Sequence, residues 1–102
     1  MKTIWKFTLT ITDEQVLEMP RGAQILSVQT QYDQPQLWAL VDDGAPKTKR
    51  RVVVLGTGND AASLAKSLWR ADEGRYAPFP VYVGTFQVRG GSFVGHVFAE
   101  PV

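Results

Sequence analysis

From Ile4 to Thr12 apolar and polar side chains alternate, with Trp5, Phe7, Leu9 and Ile11 on one side and Lys6, Thr8 and Thr10 on the other. Successive side chains of a strand point to opposite faces, so a period of two predicts a half-buried β-strand. Asp13 and Glu14 predict a polar turn, after which Leu17 and Met19 repeat the spacing until Pro20, Arg21 and Gly22 end it. The run Ala23 to Tyr32 predicts another strand, with Leu26, Val28, Thr30 and Tyr32 on one face and Ser27, Gln29 and Gln31 on the other. Asp33, Gln34 and Pro35 supply turn chemistry, as does the cluster from Asp42 to Pro46. Leu37 to Val41 and Arg51 to Leu55 are apolar on both faces, which predicts strands inside a sheet rather than at its edge.

Asn59 to Ala71 changes the period. Ala61, Leu64, Ala65 and Leu68 stand at i, i+3, i+4 and i+7, the stripe of an amphipathic helix. Asn59 or Asp60 caps its start and Gly74 lies beyond its end, while Pro78 and Pro80 predict an extended connector. The final hairpin is the most tightly specified part, because Gly90-Gly91 suits a two-residue turn with positive φ at both centres. With Arg89 opposite Ser92, Val88 faces Phe93, Phe86 faces Gly95, Gly84 faces Val97 and Tyr82 faces Ala99. Rings then lie over bare backbone on one face. Thr85 opposite His96 and Gln87 opposite Val94 make the other, wetter face. The expected architecture is mainly β (β-rich α+β): an antiparallel sandwich or a curled, barrel-like sheet of about six or seven strands, with one helix inserted at residues 59–71.

Composition narrows the class. The chain has 102 residues, room for one domain spanning 1–102, and is 44% hydrophobic and 21% charged, a globular rather than disordered balance. Eleven Lys and Arg against ten Asp and Glu leave a net charge of +1, which does not suit a protein that neutralises phosphates along duplex DNA. With no cysteine, disulfides, thiolate chemistry and cysteine-containing metal sites are excluded. No apolar run approaches the ~20 residues that span a bilayer, and Met1 to Phe7 lacks a signal-peptide core. The expected setting is the cytoplasm, away from membranes.

Each motif with chemical potential has a plainer account beside it. Gly56-Thr57-Gly58-Asn59-Asp60-Ala61 matches a G-x-G-x-x-A dinucleotide loop, in which glycines admit a pyrophosphate to backbone amides. Only one strand-to-helix step is present, however, and the acid expected about 20 residues on is missing, since Asp72 and Glu73 fall in a loop. A tight turn explains the glycines better. Lys47, Lys49, Arg50 and Arg51 read as a solvated loop leading into a strand, because no aromatic residue is interleaved to stack bases. Gly56, Gly58, Asn59, Lys49 and Arg50 remain the candidate anion or nucleotide site.

His96, the single histidine, has no acidic neighbour on its strand face, so no metal set and no catalytic residue can be named, and no cofactor is expected. It reads as a half-exposed strand residue beside Thr85. The acidic pairs Asp13-Glu14, Asp42-Asp43 and Asp72-Glu73 each read as turn residues. Trp5 and Trp38 read as packing residues. Trp69, Arg70, Arg75 and Tyr76 combine residue types enriched at interface hot spots, against which stands a simple helix-to-sheet contact. They are the candidate partner-binding residues.

The string from Met19 to Gln29, then Leu37 to Asp42, Gly56-Thr57-Gly58, Tyr82 to Phe86 and His96-Val97-Phe98, resembles a family of short uncharacterised proteins of phages and prophages. The likeness covers most of the chain except about residues 59–80, which stand as an insertion. No activity or catalytic residue comes with it. The resemblance implies a setting in which small accessory proteins bind a host component, often a defence system. A non-enzymatic binding protein with a protein partner is therefore the leading expectation. A nucleotide-sequestering protein at the Gly56–Asn59 loop is second and an enzyme third, with self-association left open.

Overall fold

The computed structural model describes residues 1–62, 64, 69–70, 74–76 and 80–101, with backbone alone at 69–70 and 75–76. In chain order its strands are β1 (Lys2–Thr8), β2 (Glu14–Pro20), β3 (Gln24–Gln31), β4 (Gln34–Asp42), β5 (Lys47–Gly56), β6 (Trp69–Arg70), β7 (Arg75–Tyr76), β8 (Val81–Val88) and β9 (Phe93–Ala99). Seven of them form two antiparallel sheets, ordered β1-β4-β3 and β2-β5-β9-β8, and β6 pairs with β7 as a separate ribbon. Neither sheet closes on itself, so of the two expected arrangements the molecule adopts the sandwich-like one. Strands β4 and β5, apolar on both faces in the sequence, each have a partner on both sides.

Alternation builds the core. Phe7, Leu37 and Val28 lie in line across the first sheet, as do Trp5, Ala39 and Ile25. The second sheet answers with Val52 and Val54 on β5, Val97 and Ala99 on β9, and Phe86 and Val88 on β8. Met19, Leu37, Val52 and Val97 are fully buried between the layers. The outer face of the second sheet is also covered at one point: Val53, paired with Phe98 and so turned away from the core, is 3% exposed.

Register in the last hairpin follows the expected pairs from Val88↔Phe93 through Phe86↔Gly95 to Gly84↔Val97. Gly90 and Gly91 both have positive φ, and the Ser92 N–H closes the turn on the Arg89 carbonyl at 3.2 Å. Beyond Gly84 the pairing slips by one at Val83, so Tyr82 faces Phe98 instead of Ala99. A bulge adds one residue to one strand and moves everything beyond it to the opposite face. Tyr82 thereby leaves the core side and meets the Phe98 ring edge-on at 5.5 Å. A second shift, between Ile25 and Ser27, does the same in β3. Val28 is buried there but Leu26 is 46% exposed, which corrects the single face expected for Leu26, Val28, Thr30 and Tyr32.

Three other expectations change. The turn after β3 is Tyr32-Asp33 rather than Asp33 to Pro35, and Glu14 opens β2 instead of closing a turn. The helix expected at 59–71 does not stand as drawn. Asp60 Oδ1 accepts the Ala62 N–H at 2.9 Å and the Leu64 N–H reaches the Ala61 carbonyl at 3.0 Å, but the expected last turn, Trp69–Arg70, is a strand. The remainder of that stretch lies outside the described residues.

Tyr32 and Asp33 both take left-handed backbone angles, φ +53° and +59°. This is the type I′ geometry that matches strand twist, and asparagine or glycine adopts it with less strain. Asp33 is retained by its Oδ1, which accepts the Arg89 N–H at 2.8 Å and ties the two hairpin tips together. Tyr32 is 92% exposed and gains no burial in return. Tyr32→Asn is therefore expected to raise stability by about 0.5–1 kcal/mol. A urea melt showing no gain would mean that the tyrosine ring has a compensating contact.

Candidate functional site

The four candidate partner residues do come together. Trp69 pairs with Tyr76 and Arg70 with Arg75 across the β6–β7 ribbon, which is turned by Gly74 at φ +64°. Two aromatic and two basic residues thus occupy adjacent register positions on an element that belongs to neither sheet.

The candidate anion set does not. Gly56 and Asn59 stand at one end of β5 and Lys49 and Arg50 near the other, six residues or about 20 Å apart at strand spacing. Two loop amides are already engaged: the Thr57 N–H donates to the Val94 carbonyl at 3.2 Å and the Asn59 N–H to the Gly56 carbonyl at 3.1 Å. The glycines have local reasons. A Cβ at Gly56 would lie 2.8 Å from Asn59 Nδ2, and Gly58 has φ +85°.

Above this loop, side chains on the outer face of the second sheet form a polar chain. Thr57 Oγ1 lies 2.7 Å from His96 Nε2, His96 Nδ1 lies 2.9 Å from Thr85 Oγ1, and Thr85 Oγ1 lies 2.6 Å from the Tyr82 hydroxyl. Both imidazole nitrogens therefore have hydroxyl partners, and Thr85 lies opposite His96 as the spacing predicted. Among the described residues no three His, Asp or Glu side chains converge as a metal set.

The basic cluster is not a solvated loop. Lys47–Gly56 is one continuous strand, and period two turns Lys49 and Arg51 outward but Arg50 inward. Lys49 faces Glu18 across the β2–β5 pair, and Arg51 is ion-paired with Glu14. Arg50 is 6% exposed, and its Nη2 donates to the Ala23 carbonyl at 3.1 Å. Burial lowers the pKa of its guanidinium from the ordinary value, and the nearby Glu100 carboxylate acts in the opposite direction. An arginine stays charged throughout the physiological range regardless.

This inward arginine was legible in principle. Counting back by two from Val54 and Val52 reaches Arg50, but a run of four basic residues within five positions masked the alternation. It lines a cleft of about 270 Å³ at one end of the sandwich, between the edges of β3 and β8. The acidic pairs are scattered: Glu14 serves Arg51, while Asp43 Oδ1 accepts from the Met1 ammonium at 3.0 Å. Asp72 and Glu73 lie outside the described residues. Trp5 packs against the core, whereas Trp38 lies half-buried on the outer face of the first sheet with Lys6 Nζ 5.8 Å from its ring centroid. Among the described residues no helix is long and apolar enough to cross a membrane.

The family model of a domain of unknown function, DUF7352, matches residues 1–102, and the chain belongs to that family. No curated protein and no solved structure matches it.

Proposed function

We propose that this DUF7352 chain is a non-enzymatic binding protein and that its β6–β7 ribbon meets a protein partner. The observation that carries this reading is the ribbon's register, which sets Trp69 opposite Tyr76 and Arg70 opposite Arg75. Tryptophan, tyrosine and arginine are the residue types most enriched at interface hot spots. An element outside both sheets can also vary without disturbing the core, and binding residues concentrate on such connections. The resemblance to short phage and prophage proteins supports a finer reading by analogy. In it the protein is of viral origin, acts in the cytoplasm of the host cell, and binds and inhibits a component of host defence.

The test separates binding from folding. Arg70→Ala with Arg75→Ala is expected to leave stability within about 0.5 kcal/mol, because the ribbon that carries them belongs to neither sheet. The same pair of changes is expected to weaken capture of the partner from host lysate at least tenfold, about 1.4 kcal/mol. Unchanged capture by a fully folded double variant would move the contact away from the ribbon.

A further inference from the structure

Strands β3 and β8 are the facing edges of two different sheets, and they touch without forming a ladder. They pack tightly at Gly84, where a Cβ would lie 2.9 Å from Val28 Cγ1, and Thr30 Oγ1 donates to the Gln87 carbonyl at 2.8 Å. Towards Leu26 and Val81 they leave the cleft of about 270 Å³. Both register shifts, at Leu26 and at Val83, fall on its walls. Bulges recur beside binding sites because they re-aim side chains that regular pairing would point elsewhere.

The walls carry exposed apolar side chains beside the polar Gln24, Arg50 and Glu100. Leu26, Val81 and Tyr82 are 46%, 56% and 55% exposed, and all three line this one cleft. Arg50 is also in its lining, although only 6% of it is exposed. A guanidinium has five N–H donors, and among the described residues one bond, to the Ala23 carbonyl, engages it. Among the described residues the side-chain nitrogen left buried without a partner is Arg51 Nε, so the remaining Arg50 donors reach solvent, and a planar fork of donors fits a carboxylate in bidentate fashion. Glu100 lines the same cleft as Arg50, and the adjoining cleft, which shares both residues, adds the cationic side chains of Arg21 and Lys49. The Glu100 carboxylate is itself engaged, since its Oε1 accepts the Arg51 N–H at 2.6 Å.

We infer that this cleft binds a small carboxylic acid with an apolar body, Arg50 holding the carboxylate and Leu26, Val81 and Tyr82 flanking the apolar part. The volume suits a group of amino-acid size, near the lower end of ligand pockets. This site is independent of the β6–β7 ribbon.

Titration calorimetry with 4-phenylbutyrate and with its neutral amide tests the inference. The acid is expected to bind saturably and the amide at least tenfold more weakly. Arg50→Gln is expected to abolish the preference for the acid. Because Arg50 is buried and its loss can unfold the chain, Val81→Asp on the exposed wall serves as a second variant, folded by its thermal melt and at least tenfold weaker for the acid. A tripeptide ending in phenylalanine, with a free or an amidated C-terminus, identifies the source: tighter binding than phenylbutyrate assigns the site to a chain terminus, weaker binding to a free acid. The inference is overturned if no saturable signal is seen up to about 10 mM, if acid and amide bind alike, or if folded Val81→Asp binds the acid as the wild type does.

Discussion

Truncating Phe86 to alanine is expected to lower the stability of the protein by about 3–5 kcal/mol, the usual loss for a packed ring. Phe86 is 3% exposed and belongs to the core between the sheets. Its ring stands 6.0 Å from that of Phe93 at an interplanar angle of 47°, and it lies against the bare backbone of Gly95. Nothing small can refill that space without moving β8 or β9, so a cavity cost adds to the lost transfer energy. Domains of this size hold only about 5–15 kcal/mol in total, and 1 kcal/mol moves their melting temperature by roughly 4–8 °C. The variant should therefore melt more than about 10 °C below the wild type. A change of only a degree or two would show that Phe86 is not a core residue.

The hairpin that holds this ring was readable because two kinds of signal agreed. Gly90-Gly91 named the turn, and the facing of rings against Gly84 and Gly95 named the register. Central strands were readable for a similar reason, since Leu37 to Val41 in β4 and Val52 to Leu55 in β5 are apolar on both faces. Two of the misreadings share a cause. A bulge leaves no mark on a period of two, so one extra residue at Leu26 and one at Val83 sent Tyr82 and Leu26 to faces the pattern did not assign them. In β5 the composition overrode the period: four basic residues looked like a loop although alternate positions pointed Arg50 inward.

In the insertion, a helical spacing of alanine and leucine competed with Trp69 and Tyr76, whose rings favour strands, and with Gly74 at a left-handed turn. The ribbon won at Trp69–Arg70. It nevertheless gathered the same four residues that the hot-spot argument had grouped, because proximity in sequence sufficed. The candidate anion residues are not brought together because they come from opposite ends of one strand. The Arg50 cleft escaped notice because it depends on two edges meeting, which no local pattern encodes.

The second large effect lies across the ladder from the first. Gly95→Ala is expected to destabilise the protein by about 1–3 kcal/mol, a typical cost of overpacking. The added Cβ would lie 2.6 Å from both Cε1 and Cζ of Phe86 and 3.1 Å from Cε2 of Phe93. Gly95 is not among the glycines with positive φ, so the cost is steric. In a strand without that crowding, alanine would be favoured over glycine by about 0.5–1 kcal/mol. The ring causes the clash, so removing the ring should remove most of the penalty. In a Phe86→Ala background, Gly95→Ala is expected to cost almost nothing, with only Phe93 left to shift by a few tenths of an ångström. The double variant should then be less destabilised than the sum of the two single ones by at least about 1 kcal/mol. Four urea melts with equal slopes measure this coupling directly. Additivity within about 0.5 kcal/mol would mean that the ring yields to the new methyl at little cost. In that case glycine at 95 would be explained by something other than the ring that covers it.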